Sequence, residues 1–172
     1  AYKKRQANRT VGLKLNATQV KTIKDIINNP KRKLTYKQLA AKYKVPILPR
    51  GTGSSLGGQS IGQALILDCS RYLDSIIEID SESHTAIVEP GVVLADLNRA
   101  AAKLGLMFGP DPASAERATM GGVIGNNATG AHSILYGMTV DHLISADVIL
   151  SDGSLETWNE YGDSRLARVA EN

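Results

Sequence analysis

The sequence predicts a mixed fold of helices and hairpin strands, and three observations predict it. Apolar residues recur at helical spacing in separate segments, most clearly at Leu94, Leu97, Ala101 and Leu104. Two stretches, 74–89 and 141–158, run apolar, break at turn residues and return, which is the pattern of hairpins. Between short apolar runs lie loops too rich in glycine to be element interiors. A length of 172 residues suits one ordinary domain or two small subdomains.

Taken in order, residues 1–10 are polar, and Val11 to Leu15 reads as a short strand. A helix follows, capped by Asn16 or Thr18, with Val20, Ile23, Ile26 and Ile27 on one face and Asn29-Pro30 as its stop. Thr35-x-x-Gln38 is a capping-box pattern opening a second helix to about Tyr43. Val45 to Leu48 and Leu65 to Asp68 read as strands flanking the first glycine loop. Asp74 to Asp80 and Thr85 to Glu89 form a hairpin, broken by Pro90-Gly91. Val92 to Leu104 is an amphipathic helix ended by Gly105, and Leu106 to Phe108 a short strand. Asp141 to Leu150 reads as a buried strand, Asp152-Gly153 as its turn and Ser154 to Trp158 as its partner. A helix is expected to start within Asp163 to Ala170.

Composition narrows the class. Hydrophobic residues make up 42% and aromatics 5%, so a core must be built from Ile, Leu, Val and Ala. Cys69 is the single cysteine, which rules out an internal disulfide and suits a reducing, cytoplasmic compartment. No run reaches transmembrane length, and the N-terminus lacks a signal peptide's apolar segment. Residues 1–44 carry 13 of the 20 Lys and Arg but one acid, Asp25. Such an arm suits an anionic partner or an acidic face of its own protein. The aromatic interleaving of single-strand binders is missing, so nucleic acid is not the expected partner. The histidines, 84, 132 and 142, form no metal-ligand pattern, and no hydrolase nucleophile motif occurs. His132, beside the second glycine-rich stretch, is the one histidine suspected of facing a ligand.

The first of these stretches is Pro46-Ile-Leu-Pro-Arg-Gly-Thr-Gly-Ser-Ser-Leu-Gly-Gly-Gln-Ser-Ile-Gly62. Glycines let the backbone bring bare N–H groups close to a ligand, and successive N–H groups make a concavity that suits phosphate. Thr52, Ser54 and Ser55 add hydroxyls and Arg50 a fixed positive charge. The loop has no Lys, so it is not a P-loop, and Leu56 stands where a dinucleotide fingerprint needs its third glycine. The second stretch, Gly109 to Gly137, opens Gly-Pro-Asp-Pro and continues through Ala118-Thr-Met-Gly-Gly-Val-Ile-Gly-Asn-Asn-Ala-Thr-Gly130. A ligand could lie against such a small-residue surface; close packing of a loop and a short helix explains it equally well.

Together these stretches, with Val88-Glu-Pro-Gly-Val92 and Pro110-Asp-Pro112 between them, resemble the FAD-binding (PCMH-type) domain of the vanillyl-alcohol oxidase flavoprotein family. The branch resembled is that of the D-lactate, glycolate and 2-hydroxyglutarate dehydrogenases. The run Asn126 to Ser133 followed by Tyr136 to His142 is similar to long members that carry an iron–sulfur region after the flavin part. The resemblance covers roughly residues 10–158.

The resemblance implies an α+β fold of two subdomains, 1–68 with the basic arm and 69–172, with FAD between them. It implies that Pro49, Arg50, Gly51, Thr52, Gly53, Ser54, Ser55, Gly57 and Gln59 hold the pyrophosphate. It places Pro110, Asp111 and Ser114 toward the flavin and ribityl side, and Thr119, Gly121, Gly122, Asn126 and Gly130 along the rest of the cofactor. Some relatives attach flavin through a histidine in the first loop; Ser54 stands at the corresponding position, so the FAD is expected to be non-covalent. Residues 28–35 are extra length, Gly125, Ala128 and Thr129 differ from commoner members, and His132 stands where long members often have Arg.

The implied activity is oxidation of a small 2-hydroxy acid by hydride transfer to flavin, with the electron acceptor unassigned. The family's cap domain, which carries substrate-binding and catalytic groups, is not in this sequence. The expectation is therefore a piece of a longer cytoplasmic or membrane-peripheral protein, inactive alone, with no catalytic residue or metal ligand of its own. Two rival readings stand beside it: an FAD-dependent UDP-sugar reductase of the same superfamily, and a non-enzymatic anion-binding module working through the basic arm.

Overall fold

A computed structural model describes Gln38, residues 46–150 and residues 154–159 of the chain. The expected elements before Pro46, the 152–153 turn and the helix expected within 163–170 lie outside the described residues, apart from Gln38, which is helical. The chain divides into two units, one of Ala1–Pro49 with Gly57–Leu67 and one of Arg50–Leu56 with Asp68–Asn172. Mixed strands and helices of this kind give an α+β protein.

In the first unit, β1 (Ile47–Arg50) pairs with β2 (Leu65–Asp68), their last residues, Arg50 and Asp68, counting with the second unit. β1 starts two residues later than the apolar run suggested. The Leu65 amide donates to the Pro46 carbonyl at 2.8 Å, and Gly62 sits against Leu48.

In the second unit, β3 (Ile76–Asp80) and β4 (Thr85–Val88) form the expected antiparallel hairpin. Its turn is set by Asp80, whose carboxylate accepts from the Glu82 amide at 2.8 Å and the Ser83 hydroxyl at 2.6 Å. The register shifts between Ile76 and Glu78, so Ile77 is the extra residue of a bulge and turns to solvent, while Ile76, Ile79 and Val88 pack inward.

Helix α1 (Leu94–Ala102) buries Leu94, Ala95, Leu97 and Ala101. Its first amides do not go begging: Leu94 donates to the Ala118 carbonyl and Ala95 to that of Ala115, each at 3.0 Å. At the other end Gly105 takes φ +72°, and the Leu106 and Gly105 amides return to the carbonyls of Ala101 and Ala102. This is the Schellman closure that the glycine signalled. It leaves Leu104 48% exposed, beyond the buried stripe assigned to it from the sequence. No strand forms at Leu106 to Phe108: the Phe108 amide donates to the Asn98 side chain at 2.9 Å instead of to a neighbouring strand.

Short helices α2 (Met120–Gly125) and α3 (Ser133–Tyr136) follow, then a 3-10 turn at Thr139–His142. The turn replaces the first part of the expected 141–150 strand, because the Asp141 carboxylate accepts from the Met138 amide at 2.7 Å and holds the chain in a tight bend. The strand itself, β5 (Ser145–Ile149), pairs in register with β6 (Leu155–Asn159). It is half-buried and alternating rather than buried throughout, with Ala146 and Val148 turned inward. Val92, Leu94, Leu97, Ala118, Met120 and Val123 form the core of this unit, and β3, β4 and Phe108 pack on it.

Candidate functional site

The core fixes the segment Ala118–Gly125, and that segment fixes the first glycine loop. Thr119 is 2% exposed and bridges to Val93. The Met120 amide donates to the Val92 carbonyl and the Gly121 amide to the Pro90 carbonyl, each at 2.8 Å. The first two amides of α2 are therefore consumed within the protein. Gly121 is a glycine because Pro90 packs where a Cβ would stand, 2.9 Å from the Pro90 Cβ.

Onto this platform the chain lays Arg50–Leu56. Gly51 lies against the Thr119 side chain so closely that a Cβ would overlap its hydroxyl oxygen. The Thr52 hydroxyl donates to the Arg117 carbonyl. Gly53 adopts φ +75°, a left-handed conformation that only glycine takes without strain. Among the described residues, the amides of Thr52, Gly53 and Ser54 donate to no acceptor. They form a short row of donors beside a fixed cation, an arrangement that favours an anion.

Arg50, with its side chain 20% exposed, reaches Asp68 at 3.4 Å. Asp68 is held in turn as the cap of the Cys69–Arg71 3-10 turn, accepting from the Ser70 amide at 3.2 Å and hydroxyl at 2.6 Å. The pair orients the guanidinium and offsets part of its charge, so an anion here would depend mainly on the loop amides. Burial pushes the adjacent Cys69 thiol up, a backbone hydrogen bond from Arg50 pulls it partly back, and the Asp68 charge raises it further. This thiol is therefore a poor nucleophile.

A second cluster is built around Pro110 and Asp111. Pro110 is buried, and Asp111 takes φ +48°. Gly130 packs directly on the Asp111 carbonyl, where no Cβ would fit. The Ser133 hydroxyl accepts from the Gly130 amide at 3.1 Å and donates to the Pro110 carbonyl at 3.4 Å. His132 Nδ1 lies 3.3 Å from Asp111 Oδ2. Ser114 is exposed, and its carbonyl accepts the Arg117 and Ala118 amides at 2.9 and 2.8 Å, the turn that hands the chain on to Thr119.

Gly122 and Asn126 are exposed at the surface of α2. Asn127 serves as a strut, its Nδ2 donating to the Met138 sulfur. It takes φ +43° and its Oδ1 accepts from the Val140 amide at 3.0 Å, beside the Thr139 hydroxyl, which donates to the Ala128 carbonyl at 2.6 Å. In the other unit, Pro49, Gly57 and Gln59 are exposed, with the Gln59 amide close to Gly57.

The structure thus joins Gly51 and Thr52 to the Arg117–Thr119 segment, Arg50 to Asp68, and Pro110 and Asp111 to the Gly130–Ser133 turn. Sequence reasoning missed Asp68 as the partner of Arg50, the Asp111–His132 contact and the role of Asn127. A short polar side chain tolerant of left-handed backbone was the one signal available for Asp111 and Asn127.

A family described as FAD binding domain matches residues 35–159. The chain is 37% identical over 118 residues to the glycolate oxidase subunit GlcD of Bacillus subtilis, covering 68% of this chain and 25% of that protein. It is 38% identical over 107 residues to D-2-hydroxyglutarate dehydrogenase of Escherichia coli, covering 62% of this chain and 10% of the relative. The chain therefore spans a quarter or less of the length of these relatives. In fold it is similar to the crystal structure of 6-hydroxy-D-nicotine oxidase from Arthrobacter nicotinovorans, with a TM-score of 0.67, 23% identity and coverage of 77% of this chain and 29% of that one.

Proposed function

Because the chain belongs to the FAD binding domain family, we propose that it is the flavin-holding part of a larger dehydrogenase that oxidises a 2-hydroxy acid. Relatives named for glycolate and D-2-hydroxyglutarate support that substrate class. The observation that carries the reading is the loop Arg50–Ser55, pressed onto Thr119 with the amides of Thr52, Gly53 and Ser54 unengaged among the described residues. A pyrophosphate is the part of FAD that needs such a site: it is anionic, and it accepts several hydrogen bonds at once. The residues present fit it.

In this reading Arg50, Gly51, Thr52, Gly53, Ser54 and Ser55 bind the pyrophosphate. Pro110, Asp111 and Ser114 flank the flavin and ribityl portion. Gly122 and Asn126 offer an exposed backbone and a side-chain amide to the rest of the cofactor, while Thr119, Gly121 and Gly130 set the backbone positions around them. When bound, the flavin supplies the redox chemistry by accepting the hydride from the carbon that bears the hydroxyl. The chain's own contribution is positioning and electrostatics. A hydroxyl at Ser54 in place of an imidazole leaves no histidine in this loop for covalent attachment. Among the described residues no helix is long and apolar enough to cross a membrane.

The test is the visible absorption spectrum of the purified chain before and after incubation with excess FAD and desalting. Flavin bands that are retained, and released by acid, are expected. Colour that stays with acid-precipitated protein would refute the non-covalent assignment, and a chain that retains no flavin would refute the cradle.

A further inference from the structure

The Asp111–His132 contact goes beyond what holding a cofactor requires. His132 Nδ1 lies 3.3 Å from Asp111 Oδ2, and a carboxylate, which can only accept, favours a proton on the ring nitrogen that faces it. In the neutral ring Nε2 is then the acceptor. The ring also lies edge-on to Tyr136, 6.2 Å between centroids and 87° between planes. Asp111 is itself fixed: its left-handed backbone is locked by the close approach of Gly130 and by the Ser133 hydroxyl on the Pro110 carbonyl. Both side chains remain partly open, His132 at 49% and Asp111 at 41%. Among the described residues Nε2 meets no hydrogen-bonding partner.

We propose that Asp111 and His132 form a carboxylate–imidazole couple that presents His132 Nε2 as the acceptor for a hydroxyl group, either one on the ribityl chain of the flavin or that of the 2-hydroxy acid. This rests on the flavin reading above, which puts Asp111 on the ribityl side. Asp111 is a positioning residue: it selects the tautomer and aims the ring, and His132 meets the ligand.

The experiment reads the tautomer directly by long-range proton–nitrogen correlation on the 15N-labelled chain. In the free chain His132 is expected as the Nδ1–H form. Asp111→Gly, which suits the left-handed backbone and so preserves the fold, should return it toward the Nε2–H form; Asp111→Ala serves as a second check. An Nε2–H form in the wild-type chain, or a tautomer indifferent to the loss of Asp111, overturns the couple.

Addition of FAD, and then of glycolate or D-2-hydroxyglutarate to the FAD-loaded chain, separates the two sources of the hydroxyl. An Nε2 shift on FAD alone assigns the ribityl chain, and His132→Phe should then weaken FAD binding about three- to tenfold. A shift only on the hydroxy acid assigns the substrate. No shift with either overturns the acceptor role. A chain that takes up no FAD overturns the flavin reading, while the free-chain tautomer still decides the couple.

Discussion

Replacing Gly51 with alanine tests the link between packing and cofactor binding. Gly51 is not in the left-handed region, so alanine meets no backbone penalty and the effect is steric alone. The added Cβ would overlap the Thr119 hydroxyl and lie 3.0 and 3.1 Å from the Thr119 Cβ and Cγ2. Thr119 cannot yield, being 2% exposed, bridged to Val93 and followed by a residue tied to Val92. The loop must move instead. Forcing one methyl into a packed contact costs about 1–3 kcal/mol. If the free loop escapes that cost by lifting off Thr119, binding has to restore it. FAD affinity should then fall by about 5- to 150-fold, taking 1.4 kcal/mol per factor of ten. Titration of flavin fluorescence measures this, with a thermal melt beside it to show that the chain remains folded. Thr119→Ala removes the overlapping hydroxyl and the nearby methyl and leaves only the 3.0 Å contact with Cβ, so in that background Gly51→Ala should cost much less than it does alone. A Gly51→Ala chain that binds like the wild type, or a double variant whose loss is the sum of the single losses, would refute the reasoning.

Three further outcomes follow from local geometry. Asn127→Gly keeps the left-handed backbone but strands the Val140 amide, at a cost of about 1–2 kcal/mol in urea unfolding; Asn127→Ala adds about 1 kcal/mol of backbone strain, and equal losses would show that the strain is not there. The Ser83 hydroxyl first, then the amides of Glu82 and Ser83, hold the Asp80 carboxyl below its ordinary 3.8. That contribution to stability is present above pH 3.8 and lost as pH falls through the lower folded value, so Ser83→Ala should lower the melting temperature at pH 6 and converge with the wild type in stronger acid; a constant gap would contradict it. Gly125 has open space where its Cβ would stand, so Gly125→Ala should stabilise the free chain by up to about 1 kcal/mol in urea unfolding, and a destabilised variant would show a contact that the structure lacks.

The elements that the sequence defined well are those closed by local chemistry. The β3–β4 hairpin and the Gly105 stop of α1 depend on residues a few positions apart, and their signals survive folding. Leu106 to Phe108 failed because its backbone found the Asn98 side chain, a partner that no alternation pattern reveals. The 141–150 run failed at its start because the Asp141 carboxylate made a turn out of residues that looked extended. At the candidate site, the glycines of the first loop were legible as places where the backbone comes close to its neighbours, as Gly51 does to Thr119. The loop's support was not: Thr119, Asp68 and the Arg117 carbonyl reach the loop only through the tertiary fold.

The glycines of the second stretch looked alike in the sequence, and the structure separates them. Gly121 and Gly130 are explained by packing, one against Pro90 and the other against the Asp111 carbonyl. A side chain at either would displace neighbouring atoms whether or not a cofactor were present. Gly125 has no such reason, and at Gly122 an added Cβ would make only an ordinary contact, 3.5 Å from the Thr119 hydroxyl. Glycine in a helix costs stability, so a pair of exposed glycines in the six residues of α2 is an expense that packing does not account for. A ligand lying close to the backbone would account for it. Any case for a ligand along α2 therefore rests on Gly122, Gly125 and the exposed Asn126, whereas packing on Pro90 and on the Asp111 carbonyl already accounts for Gly121 and Gly130.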